Sequence, residues 1–123
     1  MTIDNAINSV DTLKHNTVER DHKIRWLSEV DGMVKREILD THEGDIPEFT
    51  GYVLDQPGNT ELLVPAPYDA LYLRWLEAQI DYHHGEYGKY NNALALFKAG
   101  YQAYADYYHR NHMPKGGGRF KGV

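Results

Sequence analysis

From Tyr68 to Tyr108 the chain sets apolar and aromatic residues at alternating steps of three and four. The first run is Tyr68, Leu71, Trp75, Ala78 and Tyr82; the second is Tyr87, Tyr90, Leu94, Phe97, Tyr101, Tyr104 and Tyr108. A strand presents every second residue to one face, so this rhythm demands helix, with one stripe on each run. Between the runs lies "HHGEYG", where Gly85 stops one helix and allows the chain to reverse. Two striped helices joined by a tight glycine turn make a long antiparallel αα-hairpin. Ala93, Ala95, Ala99, Gly100 and Ala103 on the second helix let a neighbour approach closely.

Eight of the ten tyrosines fall within 69–112. A ligand cage needs aromatics converging from different elements, whereas two stripes are what a core or a helix–helix seam requires. Tyrosine in place of leucine carries a further meaning. Its ring buries a large area while its hydroxyl seeks water or a polar partner, which suits half-wet boundaries between subunits. Tyr107 and Tyr108 are adjacent and point to different faces, so at least one leaves the seam.

Upstream, Ile3, Ala6, Ile7 and Val10 predict a short amphipathic helix over 2–13. Ile24, Leu27, Val30, Val34 and Ile38, flanked by Trp26 and Met33, predict a second over 17–42. Asn16 and Glu19 have the spacing of a capping box, and Gly44 supplies a stop. The hairpin helices are expected at 67–84 and 86–110, the first entered through Pro67 and Asp69. Between them and helix two, 45–66 reads as an arm. Tyr52–Leu54 and Glu61–Val64 are β-prone runs around Gln56-Pro57-Gly58-Asn59, which has the residues of a β-turn. Phe49, Tyr52, Leu54, Leu62 and Val64 give this short β-hairpin or extended arm its apolar contacts. Two strands alone are marginal in water, so the arm is expected to order only against the helices or another chain. The fold class is therefore mainly α: a four-helix subunit over 1–114, with a flexible basic tail over 115–123.

Charge narrows the function. All 18 acids lie before Arg110 with nine of the 13 Lys and Arg, giving residues 1–109 a formal charge of −9; the rest of the chain carries +4. An acidic body gains nothing from phosphate, so wrapping nucleic acid is excluded for it. With no cysteine there is neither a disulfide framework nor a thiolate metal site. No run of apolar residues approaches membrane-spanning length, and the N-terminus lacks the basic and apolar regions of a signal peptide. His109 and His112 have ligand-like i, i+3 spacing, and His83 and His84 are adjacent, but no HExxH or comparable motif accompanies them; no metal or cofactor is expected. "DTHEGD" lacks the alternation of a calcium loop. Ser9 and Ser28 sit inside helical stripes without a nucleophile elbow, and "PKGGGRFKG" has no Gly-Lys-Ser/Thr, so no catalytic residue is assigned and no enzyme is expected.

The order long helix, arm, helix pair across about 17–114, in "NTVERDHKIRWLSEVDGMVKREILDTHEG" and "TELLVPAPYDALYLRWLEAQIDYHHGEYGKYNNALALFKAGYQAYADYYHRNHMP", resembles the small head-to-tail connector (adaptor) proteins of tailed phages and prophages. The resemblance implies an α-helical subunit of a virion ring, dodecameric, beneath the portal protein, which extends the DNA channel toward a tail or head-completion protein. It implies assembly in the host cytoplasm, transient contact with passing DNA and no membrane. Aromatic seam and arm would supply the two different patches that a closing heterologous ring needs. An acidic channel wall would let DNA slide without sticking. The alternative is a cytoplasmic interaction or regulatory module. Its tail cations Arg110, Lys115, Arg119 and Lys121 would touch nucleic acid, with Tyr107, Tyr108 and Phe120 stacking on bases.

Overall fold

The computed structural model describes residues 1–115. Helix α1 is Ile3–Leu13, α2 is Arg20–Met33 and runs on into a π-helical turn, Val34–Leu39, α3 is Ala70–His83 and α4 is Tyr87–Asn111. The mainly α class holds, and among the described residues there is no β-hairpin.

Helix α1 begins where its sequence allows a reciprocal cap. The Thr2 hydroxyl accepts from the Asn5 amide at 3.1 Å, and the Asn5 side-chain oxygen accepts from the Thr2 amide at 3.1 Å. Its stripe Ile3, Ala6, Ile7 and Val10 is buried. Helix α2 starts three residues later than the spacing predicts. Asn16 is spent on a local turn: it accepts from the Val18 amide and donates to Asp11 and to the Lys14 carbonyl, so it caps nothing, and Glu19 makes no side-chain cap. At the far end the helix widens by one residue per turn, the Asp40 amide reaching the Lys35 carbonyl at 2.9 Å. The helical run ends at Leu39 with Asp40 as its C-cap, three residues short of the predicted end, so Gly44, with φ +119°, lies beyond it and does not supply the stop.

Helix α3 is the centre of the molecule. One side packs on α4, where Trp75 meets Phe97 at 4.9 Å between rings and Leu71 lies against Gly100. Another side packs on α1 and α2, so Tyr72, Leu76 and Ile80 are buried as well as Leu71 and Ala78. A helix covered on two sides buries more than one stripe, which is why the spacing from Tyr68 to Tyr82 captures only two of its six buried residues, Leu71 and Ala78. Pro67 is not in its first turn: residues 66–69 form a separate turn, and Asp69, at the N-cap position, makes no cap bond. Helix α4, about 37 Å long against about 21 Å for α3, continues past its partner to the π turn.

Two buried charges are paired with ions of opposite sign. Lys23, 3% exposed, reaches Asp11 at 2.7 Å, and Asp81, 2% exposed, takes Lys14 at 2.8 Å, so both contacts tie the α1 end of the chain to its neighbours. Burial pushes the Asp11 carboxyl up, but the Lys23 and Asn16 hydrogen bonds outweigh it and hold Asp11 below the usual carboxylate value.

The arm departs most from expectation. Its strands do not pair with each other. Instead Glu61 bridges Thr2, and the Ile3 and Leu62 amides bond to the Thr60 and Met1 carbonyls at 3.0 Å each. The closing turn runs from the Pro57 carbonyl to the Thr60 amide, one residue beyond the predicted turn. Gly58 sits there because the Asp4 carboxylate lies where a Cβ would be. The reason is geometric: Thr2, the N-cap of α1, is extended, so the backbone around it takes the hydrogen bonds that a second arm strand would have supplied.

Candidate functional site

The arm is clamped to the helices around Asp31, with Tyr72 and Ser28 as further acceptors. Asp31 is fully buried on α2, and its carboxylate accepts from the Tyr52 hydroxyl, from the Leu63 amide at 3.1 Å and from the Tyr72 hydroxyl at 2.5 Å. Tyr72 also accepts from the Val64 amide at 2.7 Å. Ser28 on the same helix accepts from the Tyr52 amide at 3.0 Å. Four backbone and side-chain donors of a segment with no ladder of its own are thus satisfied through α2 and α3. Burial outweighs the donated hydrogen bonds and holds Asp31 above the usual carboxylate range. Burial and the Asp31 charge push Tyr52 and Tyr72 far up, so both stay protonated as donors.

Of the two supports expected for the arm, the helices or another chain, the clamp supplies the first. Leu62 and Val64 are 6% and 0% exposed and belong to the core. Phe49 and Tyr52 are half-buried with rings 4.8 Å apart, and Leu54, 49% exposed, lies on the surface beside exposed Val53. Spacing alone contained a signal for the clamp. Asp31 falls four after Leu27 and three before Val34, an acid inside the α2 stripe, and Tyr72 falls four after Tyr68. A charged group at a core position needs partners brought from elsewhere.

The hairpin seam divides into two ends. At the base, Leu71, Phe97, Tyr104 and Tyr108 are buried, and Tyr68 is half-buried with its ring 5.7 Å from Tyr104. Burial raises Tyr104 to about 12. In the middle, Trp75, Leu94 and Tyr101 are half-buried, and Tyr101 donates to Glu37 of the π turn at 2.6 Å. The Trp75 indole nitrogen is buried without a hydrogen-bond partner. At the tip, Tyr82 and Tyr87 stand exposed beside half-buried Tyr90, ring centres 5.5 and 5.1 Å from Tyr82. Tyr108 turns inward while Tyr107 is 36% exposed, as their adjacency requires.

Beside the seam an apolar groove of about 240 Å³ runs between α3 and α4, floored by Leu71 and Gly100 and flanked by Leu96, Ala103 and Arg74. Leu96 is 53% exposed, and Ala95, Ala99 and Ala103 continue that surface along α4. Of the tail cations, Arg110 is exposed in the last turn of α4, and Lys115 is exposed with its amide on the Thr41 carbonyl. Arg119, Lys121 and Phe120 lie outside the described residues. Chemically, the surface offers an aromatic tip with hydroxyls, an apolar groove and surrounding acids, the materials of a protein interface. Among the described residues no helix is long and apolar enough to cross a membrane. Comparison with protein-family models, curated proteins and solved structures found no match to this chain.

Proposed function

We propose that this chain is the subunit of a head-to-tail connector ring, seated under a portal protein and extending its DNA channel toward the tail. The observation that carries the reading is the exposed end of the α3–α4 hairpin, where Tyr82 and Tyr87 are 57% and 58% exposed on a seam that is otherwise covered. Large aromatics left bare in register with a core stripe favour a covering neighbour. The groove beside Leu96 supplies a second, different patch, and two unlike patches on one subunit are what a heterologous ring requires. The acidic body, −9 over residues 1–109, supports a role beside DNA without adhesion to it.

In this reading the partners are further copies of the chain, the portal protein and a tail or head-completion protein. Assembly takes place in the host cytoplasm and the product resides in the virion. The test is assembly on purified portal rings, followed by electron microscopy. The expected result is an added ring of this chain with the hairpin tip buried against a neighbour; a chain that stays free of portal and leaves Tyr82 and Tyr87 solvent-exposed in every particle would overturn it.

A further inference from the structure

At the opposite end of the hairpin, His42 and His109 bring two imidazole nitrogens together from elements 67 residues apart. His42 follows the π turn and is 7% exposed. Its Nδ1 stands 2.7 Å from the Ile38 carbonyl oxygen, which can only accept, so Nδ1 carries the proton and Nε2 of the neutral ring holds a free lone pair. That Nε2 is 3.4 Å from Nδ1 of His109, on the last turn of α4.

We propose that His42 Nε2 and His109 Nδ1 form a two-nitrogen binding site for a divalent transition-metal ion of the Zn²⁺ class. Two nitrogens bound to one tetrahedral zinc at the usual 2.0–2.1 Å stand roughly 3.3–3.4 Å apart, the spacing found here. The same distance is long for a hydrogen bond, whose N–H donors favour about 2.9–3.0 Å. A ligating histidine typically donates its other ring N–H to a backbone carbonyl, which fixes the tautomer and the ring orientation; Ile38 accepts from His42 in this way.

The surroundings hold the pair in place. The Glu43 amide bonds to the Met113 carbonyl at 2.7 Å and the Lys115 amide to the Thr41 carbonyl at 2.9 Å, so the segment carrying His42 is fastened to the chain leaving α4. The C-terminal end of α4 also favours a cation through its unpaired carbonyls. His112 is close but differently employed: its ring stacks flat on Tyr108 at 3.7 Å, its Nδ1 is 3.0 Å from the Tyr108 carbonyl, and its centre is 6.5 Å from that of His42. Among the described residues no group of three His, Cys, Asp or Glu side chains is placed to hold a metal, so His42 and His109 are the two side-chain ligands of the site. Neither the i, i+3 spacing of His109 with His112 nor any motif pointed to His42, because the pairing is made by the fold.

The experiment is calorimetric titration of metal-free full-length protein with zinc chloride, paired with NMR of the histidine rings. One saturable equivalent is expected, with the His42 and His109 ring signals perturbed. His109 is exposed, so His109→Ala should fold normally and weaken zinc binding by at least about tenfold. His112→Ala and His84→Ala should leave it nearly unchanged. The proposal is overturned if no saturable binding occurs in the millimolar range, if His109→Ala binds as well as the parent chain, or if His112→Ala loses as much as His109→Ala.

Discussion

At the base of the α3–α4 hairpin Tyr104 and Tyr108 are 3% and 7% exposed, whereas at its tip Tyr82 and Tyr87 are more than half exposed. The residue type and the spacing are the same at both ends. What differs is the company: α2, the π turn and the clamped arm close over the base, while at the tip the chain leaving α1 contributes Lys14 to Asp81 and then turns away. Periodicity therefore reports that a helix has a stripe to cover, and the lengths of the other elements decide how much of it one chain covers.

The sharpest way to break the contrast is at Asp31, the group that closes the base. Asp31→Ala would leave two tyrosine hydroxyls and the Leu63 amide without their acceptor in a dry site, and roughly 3–5 kcal/mol of stability is the expected loss. Phe97→Ala, a large-to-small change at 5% exposure, should cost about as much. Urea denaturation measures both. A loss at Asp31 no larger than that of an exposed substitution would mean that the arm is not held through this carboxylate.

The stripes of α1, α2 and α4, and the ends of α1 and α4 to within a residue, were legible because amphipathic periodicity is local information. The β-hairpin is absent although Tyr52 and Val64 carry β-prone side chains, because the residue that bridges to Glu61 is Thr2, far away in sequence. The same holds for the site. Leu71, Phe97, Tyr104 and Tyr108 could be read from spacing, but Tyr72 lies on the second covered side of α3, and no single stripe contains it. Asp31 was visible as an acid among apolar residues, yet its partners come from the arm and α3, and only the fold assembles them.

Tyr72→Phe sharpens the comparison at one atom. It removes a donor to Asp31 and an acceptor for the Val64 amide while keeping the ring, so a loss of about 1–3 kcal/mol is expected, well above that of Tyr107→Phe at the half-exposed neighbour of the seam. Equal losses would place the energy in the rings and not in the hydroxyl network.

Acid titration separates a buried carboxylate, Asp31, from an exposed one, Asp11. Asp31 is held above its unfolded value, so the folded state takes up its proton first, and its contribution to stability grows as pH falls through the raised value toward 3.8. Asp11 is held below 3.8, so its contribution is present above that value and is lost as pH falls through the depressed one. The stability difference between parent and Asp31→Asn should widen on acidification from pH 7 to about 4, and that between parent and Asp11→Asn should shrink below about 4. Parallel curves for the two variants would show that the two carboxylates do not differ in environment.

The smallest folding effect and the most informative one belongs to the tip. Tyr82→Ser with Tyr87→Ser removes two rings that the chain itself covers little, so the helical content should be unchanged and the loss of stability below about 1 kcal/mol for the pair. If a neighbouring subunit or the portal covers those rings, the same variant should lose assembly on portal rings, because aromatic anchors at the centre of an interface carry a disproportionate share of its energy. The two measurements decide different things. A large drop in melting temperature would show that the tip is part of the core and that its exposure is not available to a partner. Normal melting with normal assembly would leave the rings without a structural task and remove the support they give to the connector reading, whereas normal melting with lost assembly is the pattern that only a covering neighbour produces.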